Sequence, residues 1–346
     1  MDKVRFGVIG AGMMGALHAR IGSELPWAQL VAAADVDLTR AQKVAGPYGA
    51  QAYADYREML EREKMDAVVI ATPEKMHLDP VMAAAESGCH IFLEKPLASS
   101  LADADAIISV CEAQKVQLMV GYILRFDPCY AKIKEAVADG SLGKVLTLYA
   151  RRNAPIGEAR RLGGRTTVIN YIQVHDTDQI LWYQEGRQVT KVTAKAARGR
   201  VWDEYQVPDF CWTIAEFDDG SLAVVETGWG MPEKWADWKG PKGWGGFGDV
   251  VMHVIGTQGV TDLNFTPMNL YGTTNADGWM LPETRHWPVV NGRIGGAALL
   301  QLEHFFDCVL NGKQPLIDGR EARRSLEVAL AADLSIVEGR EVRLPL

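Results

Sequence analysis

Short apolar runs alternate with segments of helical spacing over about the first 120 residues of the chain. Continuous apolar runs of this kind are typical of strands that are buried on both faces. Strand and helix in turn therefore predict an α/β domain built on a doubly wound parallel sheet. The predicted strands are 4–9, 30–34, 50–53, 67–70, 91–93 and 117–120.

The pattern changes after Gly121, where longer runs of alternating apolar and polar residues follow one another. Alternation with a period of two is typical of half-buried strands, and consecutive strands of this kind predict a largely antiparallel sheet. Asp219-Gly220 separates two of the runs and predicts a hairpin turn. The predicted strands are 145–152, 189–197, 210–217, 222–229, 250–255 and 260–263.

The two patterns predict two domains, residues 1–121 and residues 122–346. We expect the second to be an α+β domain with a large, mostly antiparallel open sheet. Its last helix, about 320–337, has apolar residues at helical spacing and should pack back on the first domain. An open sheet can present one face to a second copy of the chain, so we expect a homodimer or homotetramer.

Composition narrows the class of protein. The chain has 346 residues, of which 48% are hydrophobic and 23% charged, as in ordinary globular proteins. A formal net charge of -8 argues against nucleic acid or an anionic membrane as the main partner. No apolar run approaches the roughly 18 to 20 residues that cross a bilayer, and the N-terminus lacks signal-peptide features, so we expect a cytoplasmic protein. Five widely spread cysteines and seven scattered histidines predict reduced thiols and no metal site.

A glycine-rich turn follows the first predicted strand. Gly10, Gly12 and Gly15 form G-x-G-x-x-G between that strand and a helix-forming segment, with Met13 and Met14 between the last two glycines. Gly10 would make the turn, Gly12 would let a pyrophosphate approach the backbone, and Gly15 would let the helix pack closely. The phosphates would lie at the helix N-terminus. The pattern predicts a Rossmann domain that binds a dinucleotide.

Asp35 ends the second predicted strand. A carboxylate at this position can accept hydrogen bonds from both hydroxyls of the adenosine ribose and repels a 2′-phosphate, so we expect NAD rather than NADP. Arg40 lies nearby in the sequence and could bind that phosphate, or it could be an arginine on a helix surface.

Further candidates follow the fourth predicted strand, at the edge where ligands of open α/β sheets bind. Thr72 and Pro73 should line the cofactor cleft because they leave this strand at its carboxyl end. His77 could bind the cofactor as well. It could equally be a histidine near a helix N-terminus that has no ligand.

The fifth predicted strand ends in Glu94-Lys95-Pro96, which holds a candidate catalytic lysine. Proline fixes its own φ and favours extended geometry in the residue before it, so the backbone of Lys95 should be stiff. The ammonium group would lie at the cofactor edge of the sheet, with Glu94 beside it. The alternative is a solvated lysine in a strand-to-helix connection.

A predicted helix over 171–182 carries His175, the second candidate catalytic group. Tyr171 and Asp178 would share its face of the helix, at offsets of four and three residues. An imidazole near a lysine suits proton transfer at neutral pH. The alternative is a half-buried histidine with a structural hydrogen bond.

Two sequence features suggest how a substrate could be recognised. An arginine cluster could bind a carboxylate, phosphate or sulfonate, or it could be part of a solvated loop. Four tryptophans in a glycine-rich stretch could stack on sugar rings or lie at a subunit interface. The arginines are Arg151, Arg152, Arg160, Arg161 and Arg165, and the tryptophans are Trp229, Trp235, Trp238 and Trp244.

Six motifs occur in order along the chain. They are the glycine turn at 10–15, Ala-Thr-Pro-x-x-x-His at 71–77, Glu-Lys-Pro at 94–96, Gly-Tyr-x-x-Arg-Phe at 121–126, Gly-x-Leu-Gly-Lys-Val at 140–145 and His-Asp-x-Asp at 175–178. As a set they resemble the glucose–fructose oxidoreductase / inositol dehydrogenase (Gfo/Idh/MocA) family, and the resemblance spans nearly the whole chain. It implies a Rossmann domain, a second domain whose open sheet serves oligomerisation, and pyridine-nucleotide-linked oxidation or reduction of sugars and cyclitols.

The resemblance also implies roles for individual residues. It assigns the family lysine to Lys95, usually with a cis bond before Pro96, and the family histidine to His175. Lys95 would hydrogen-bond a secondary hydroxyl of the substrate, and His175 would take its proton as hydride passes to NAD. We expect the substrate to be bound by Lys95, Tyr122, Arg125, Arg152, Asn153, Arg165, Tyr171 and His175.

The sequence departs from the family pattern at Tyr171, where inositol dehydrogenases of the family carry an aspartate. Tyr171 could join the proton relay, or Asp176 or Asp178 could supply the charge. Two other functions stay open: a glycosidase that uses tightly held NAD for transient oxidation, and an NAD-binding regulator without catalysis.

Overall fold

The computed structural model describes residues 3–233, 249–265, 272–274, 278–280 and 284–346. The chain divides into two compact units: Met1–Ile123 with Val289–Arg323, and Leu124–Pro288 with Arg324–Leu346. The sequence-based boundary between residues 121 and 122 lies two residues before the end of the first segment of unit one. The chain also returns to this unit at Val289–Arg323, which the sequence does not predict. The final helix, expected on the first domain, belongs to the second unit from Arg324 onward.

The secondary structure follows the predicted alternation, with additional short strands near the C-terminus. No helix within the described ranges combines the length and the apolar composition that a membrane span requires. The strands are β1 Val4–Ile9, β2 Ala28–Ala34, β3 Gln51–Tyr53, β4 Ala67–Ile70, β5 His90–Leu93, β6 Leu118–Val120, β7 Val145–Pro155, β8 Val189–Ala197, β9 Phe210–Phe217, β10 Leu222–Met231, β11 Asp249–Gly256, β12 Val260–Asn264, β13 Gly272–Thr274, β14 Gly278–Met280, β15 Val289–Val290, β16 Arg293–Ile294 and β17 Val342–Arg343. The helices are α1 Met13–Glu24, α2 Leu38–Ala45, α3 Tyr56–Arg62, α4 Leu78–Glu86, α5 Leu101–Gln114, α6 Pro128–Ala138, α7 Ile156–Leu162, α8 Val174–Tyr183, α9 Arg200–Tyr205, α10 Gly296–Asn311 and α11 Gly319–Glu338.

The first unit is built on a parallel sheet with the strand order β3-β2-β1-β4-β5-β6. This order confirms the predicted doubly wound sheet. The order reverses between β1 and β4, so the turns after these two strands point into the crevice where such sheets bind ligands. The glycine turn follows β1, and Thr72 follows β4.

The core of the first unit contains a cluster of aromatic rings. Phe6 on β1 packs against Phe306 on α10, with ring centroids 5.0 Å apart, and Phe92 on β5 packs against Phe305 at 5.7 Å. Gly22 on α1 leaves room for this packing, because a Cβ at that position would lie 2.4 Å from Phe6 Cζ. Helix α10 therefore completes this core, which explains why its segment belongs to the first unit.

The second unit is built on a sheet with the strand order β12-β11-β7-β10-β9-β8-β17. Strands β7 and β10 are parallel, and the other neighbouring pairs are antiparallel. This confirms the predicted, mostly antiparallel sheet. The predicted hairpin turn joins β9 to β10, with Gly220 at φ +83°.

The sheet of the second unit has one face against helices and one open face. On the covered face, the Ser335 hydroxyl of α11 accepts the backbone N–H of Ala194 at 2.9 Å. On the open face, Trp212, Ile214 and Leu222 are each about 42% exposed. Large apolar side chains on an exposed face are typical of an interaction surface.

Candidate active site

The glycine turn has the close approaches that its motif requires. A Cβ at Gly10, where φ is +92°, would lie 2.8 Å from the carbonyl of Ala71, and a Cβ at Gly15 would lie 1.9 Å from the carbonyl oxygen of Gly10. Gly12 caps the N-terminus of α1, and a Cβ there would meet open space. The first turn of α1 carries no acidic side chain. An open helix N-terminus of this kind fits the pyrophosphate of a dinucleotide.

Asp35 is hydrogen-bonded to the backbone of the glycine turn. Its Oδ2 accepts the backbone N–H of Ala11 at 2.8 Å, and its Oδ1 accepts the N–H of Asp37 at 2.9 Å. Each oxygen of a carboxylate has two lone pairs, so both can still accept a ribose hydroxyl. Arg40 lies exposed on α2, with its Nε 3.4 Å from Asp37 Oδ2. Met13 is exposed beside the turn, and Met14 is half-buried.

His77 is a buried link between two loops at the carboxyl edge of the sheet. Its Nε2 lies 3.0 Å from the carbonyl oxygen of Thr72, and its Nδ1 lies 3.3 Å from that of Leu97. Burial lowers the pKa of His77, so the neutral imidazole donates its one N–H to a backbone carbonyl. These contacts favour the alternative of a histidine near a helix N-terminus without a ligand, and a role of His77 in cofactor binding stays a prediction. Thr72 remains half-buried and Pro73 exposed at this edge.

The lysine turn follows β5 at the same edge. The Lys95–Pro96 peptide bond is cis, as the resemblance implies. The side chain of Lys95 is half-buried, whereas Glu94 is 7% exposed. Glu94 Oε1 lies 2.7 Å from Nε2 of His18 on α1, and its Oε2 lies 3.3 Å from the backbone N of Lys95. His18 is not among the candidate residues that the sequence motifs indicate, although a polar residue on the buried face of the dinucleotide helix is a visible signal.

The second unit holds Tyr171 and His175, both half-buried. The predicted helix is present, but it begins as a π-helical turn, Ile169–Gln173, and continues as α8. π-helical turns are frequent at functional sites. The Tyr171 hydroxyl accepts a hydrogen bond from Arg161. Burial raises the pKa of Tyr171 although the Arg161 guanidinium opposes this, so the phenol is neutral at physiological pH and supplies no charge to His175.

Both aspartates of the His-Asp-x-Asp motif are bound by arginines. Nε and Nη2 of Arg152 each donate to Asp176 at 2.8 Å, and Nε and Nη2 of Arg125 donate to Asp178 at 2.9 and 2.7 Å. All four side chains are buried. Carboxylates of this chain hold both guanidinium groups, and the assignment of Arg125 and Arg152 to the substrate stays a prediction. Asp176 and Asp178 are each paired with an arginine, and a charge supplied to His175 by either of them stays a prediction.

The other arginines of the cluster are largely engaged as well. The ion pairs are Arg151 with Asp249, Arg160 with Glu204 and Glu233, and Arg161 with Glu158. Carboxylates of the protein already pair with these charges, which favours the alternative of a solvated loop over a clamp for an anionic substrate. Arg165 is exposed, and its role in substrate binding stays a prediction.

Two further expected substrate ligands are buried. Asn153 is 4% exposed, and its Nδ2 donates to Glu226 Oε1 at 3.0 Å. Tyr122 lies in the core of the first unit with no exposed surface. Their assignment to the substrate stays a prediction, and both side chains are buried in this structure.

The tryptophan-rich stretch is described only in part. Trp229 is fully buried, and its Nε1 donates to the carbonyl oxygen of Pro208 at 2.7 Å. This residue is part of the core of the second unit and not a stacking platform for a sugar. Trp235, Trp238 and Trp244 lie outside the described residues.

Two family models match the chain. The "Oxidoreductase family, NAD-binding Rossmann fold" matches residues 4–122, and the "GFO/IDH/MocA C-terminal domain" matches residues 130–261. The chain belongs to the Gfo/Idh/MocA family. This confirms the family that the six motifs indicate, and with it the class of NAD-binding oxidoreductases.

Relatives within the Gfo/Idh/MocA family extend over the whole chain. The scyllo-inositol 2-dehydrogenase (NAD(+)) of Bacillus subtilis is 32% identical and covers 99% of this chain and 96% of its own length. The 2,7-anhydro-N-acetylneuraminate hydratase of Mediterraneibacter gnavus is 25% identical, with 99% and 97% covered. The crystal structure of scyllo-inositol dehydrogenase from Lactobacillus casei with NAD(H) and scyllo-inositol has a TM-score of 0.84 at 21% identity, with 99% of each chain covered. This last similarity supports the fold alone.

Proposed function

We propose that this chain is an NAD-dependent dehydrogenase that oxidises a secondary hydroxyl group of a cyclitol, a sugar or a sugar derivative. The observation that carries the proposal is the presence of the glycine turn, Asp35 and the Lys95 turn at one edge of one parallel sheet. Similarity over 99% of the chain to a scyllo-inositol 2-dehydrogenase favours a cyclitol. All five cysteines are free, which suits the cytoplasmic location that we also propose.

The residues of the first unit fit NAD. Backbone N–H groups of the first turn of α1 would hold the pyrophosphate beside Gly12, and Asp35 would accept the ribose hydroxyls. Thr72, Pro73 and Glu94 would line the cleft. A carboxylate at the ribose disfavours the 2′-phosphate of NADP, and the Arg40 guanidinium already lies against Asp37. Bound NAD supplies the acceptor for hydride.

The roles of the substrate-binding side chains follow from their charge. The Lys95 ammonium would donate to the oxygen of the reacting hydroxyl and stabilise the negative charge that develops there. His175 would accept the proton of that hydroxyl. Tyr171, a neutral phenol held by Arg161, would donate a hydrogen bond and so orient the substrate.

A substrate panel tests this function. Purified protein is mixed with NAD or NADP and with myo-inositol, scyllo-inositol, neutral monosaccharides and acidic sugars, and absorbance at 340 nm is followed. We expect turnover with at least one neutral cyclitol or sugar, and kcat/KM at least about tenfold higher with NAD. Binding of NAD without turnover of any polyol would contradict the proposal and favour a regulatory role.

A second candidate is a glycosidase or lyase that oxidises its substrate transiently with tightly held NAD. The hydratase relative, similar over 99% of the chain, favours it because that name describes no net oxidation. Cleavage of a glycoside without net NADH, by protein whose cofactor survives desalting, would identify this activity. The same panel, extended with glycosides, separates the two candidates.

We also propose that the open face of the second unit's sheet forms the interface of a homodimer or homotetramer. A Trp212→Lys/Ile214→Lys variant places lysines at two exposed apolar positions of β9. This variant should not assemble, because burying a charge in an interface without a partner is unfavourable. Sedimentation equilibrium should give an oligomer for the parent and a monomer for the variant. Leu310→Lys, at an exposed position of α10, is the matched control and should keep the parental mass. A monomeric parent, or a variant of unchanged mass, would contradict the proposal.

A further inference from the structure

His18 and Glu94 form a buried hydrogen-bonded pair, in which the proposed function gives His18 no role. Nε2 of His18 and Oε1 of Glu94 are 2.7 Å apart, and the two side chains are 1% and 10% exposed. The His18 ring packs on Phe92, with ring centroids 4.9 Å apart. His18 lies on the helix that begins at the glycine turn, whereas Glu94 directly precedes Lys95. The pair thus joins the two loops that the proposed function assigns to NAD and to the substrate.

Stability does not account for this pair. A buried ionisable pair can often be replaced by apolar residues without loss of stability, because desolvation offsets the attraction of the partners. Within the described part of the chain, Nδ1 of His18 is buried and has no hydrogen-bond partner, which adds a further cost. Apolar residues in place of both partners would avoid these costs, whereas an apolar residue in place of His18 alone would leave the Glu94 carboxylate without this partner. The pair therefore suits a positional role.

The second oxygen of Glu94 faces the lysine. Oε2 lies 3.3 Å from the backbone N of Lys95, and a Cβ at Gly121 would lie 3.4 Å from the same oxygen. The carboxylate is thus confined between His18 on one side, and Gly121 and the Lys95 backbone on the other. Since the lysine backbone is bound to a carboxylate that His18 holds, loss of His18 would release the lysine turn.

We infer that His18 is a positioning residue that acts through Glu94 to fix the Lys95 turn relative to the dinucleotide helix. The expected effect of His18 on catalysis rests on the proposed function, whereas its expected effect on the Lys95 turn does not. Small misplacements of a catalytic group lower rates strongly, up to about 10²-fold for about 1 Å. The pair would therefore contribute to turnover without contacting the substrate.

The test combines kinetics with a measurement that needs no substrate. His18→Leu should lower kcat about 10- to 100-fold and change the Kd of NAD less than about threefold. It should also change the rate of trace acetylation of Lys95 by acetic anhydride at least about threefold, measured by mass spectrometry against Lys43 as internal reference. His18→Gln keeps an N–H donor toward Glu94, so its kcat and its rate of Lys95 acetylation should lie close to the parental values.

Two further variants complete the experiment. Ser23→Ala, on the same helix, is the matched control and should leave kcat and the acetylation rate unchanged, because the Ser23 hydroxyl makes no hydrogen bond within the described residues. Glu94→Gln removes the charge with little change of shape, so it tests the inference if His18→Leu fails to fold. A folded His18→Leu or Glu94→Gln variant with parental kcat and parental Lys95 acetylation would overturn the inference. If the parent shows no turnover, the proposed function fails, and the acetylation rates still decide the role of His18.

Discussion

Replacing Lys95 with alanine should lower kcat by about 10³-fold or more while leaving the Kd of NAD within about threefold of the parental value. The ammonium group is the cationic donor of the Glu94-Lys95-Pro96 turn, and the negative charge that develops on the reacting oxygen would lose its main stabilising partner. NAD binding should persist because Gly12, Asp35 and the N-terminus of α1 are unchanged. Stopped-flow or steady-state kinetics and titration of protein fluorescence with NAD measure the two quantities.

Two variants make the Lys95 result interpretable. Lys95→Arg keeps the charge but replaces a compact ammonium with a planar fork, so it should recover only part of the lost rate. Lys43→Ala, an exposed lysine in the last turn of α2, removes one positive charge elsewhere and should keep parental kinetics. Parental kcat in Lys95→Ala would remove the lysine from the mechanism and leave only the dinucleotide fold.

Local chemistry explains why the dinucleotide half was predictable. Gly10 and Gly15 stand where a Cβ would collide with Ala71 and with the glycine turn itself, so the spacing of the motif reports a constraint of the backbone. Asp35 ends its strand as expected and bonds the turn at Ala11. Features that depend on a few consecutive residues can be inferred from one sequence.

Partnerships across the sequence could not be inferred in this way. Arg125 and Asp178 are 53 positions apart, and Arg152 and Asp176 are 24 apart, so a cluster of arginines looked available for a substrate. The return of α10 to the first unit depends on packing between Phe306 and Phe6, which no local pattern reveals. Residue types were visible in the sequence, but the identity of each partner was not.

His77 and His18 show how differently two buried histidines of the first unit are engaged. His77 follows a strand at the ligand edge, yet its ring nitrogens lie against backbone carbonyls in the interior. His18 has no motif position of its own, yet it lies against the carboxylate that precedes Lys95. Both side chains are buried, so burial does not distinguish them. Their partners do, because His77 lies against backbone carbonyls and His18 lies against a carboxylate.

A half-buried carboxyl lies beneath the π-helical turn that carries Tyr171. Asp333 on α11 accepts hydrogen bonds from Thr167 Oγ1, at 2.8 Å, and from Asn170 Nδ2. Burial raises the pKa of Asp333 from its ordinary value of 3.8 to about 6, although both hydrogen bonds act in the opposite direction. The folded state therefore binds this proton more tightly than the unfolded state. The contribution of the Asp333 carboxyl to the free energy of unfolding is complete below about pH 4 and is lost as the pH rises through about 6.

Asp333→Asn should therefore raise the free energy of unfolding at pH 8 by up to about 3 kcal/mol and leave it nearly unchanged at pH 4. Asparagine keeps an oxygen for Thr167 and Asn170 and never acquires the charge that burial disfavours. Urea unfolding of parent and variant between pH 4 and pH 8 measures the difference.

Asp219→Asn provides a control of opposite sign, because hydrogen bonds from Ser221 lower the pKa of Asp219 to about 2. That variant should lose stability at pH 8, since its carboxylate is the favoured form in the folded state. A constant difference between Asp333→Asn and the parent at all pH values would show that Asp333 titrates alike in the folded and unfolded chains. Asp333 would then stabilise the π-helical turn through its hydrogen bonds alone, and ionisation of its carboxyl would not lower the stability of the folded chain.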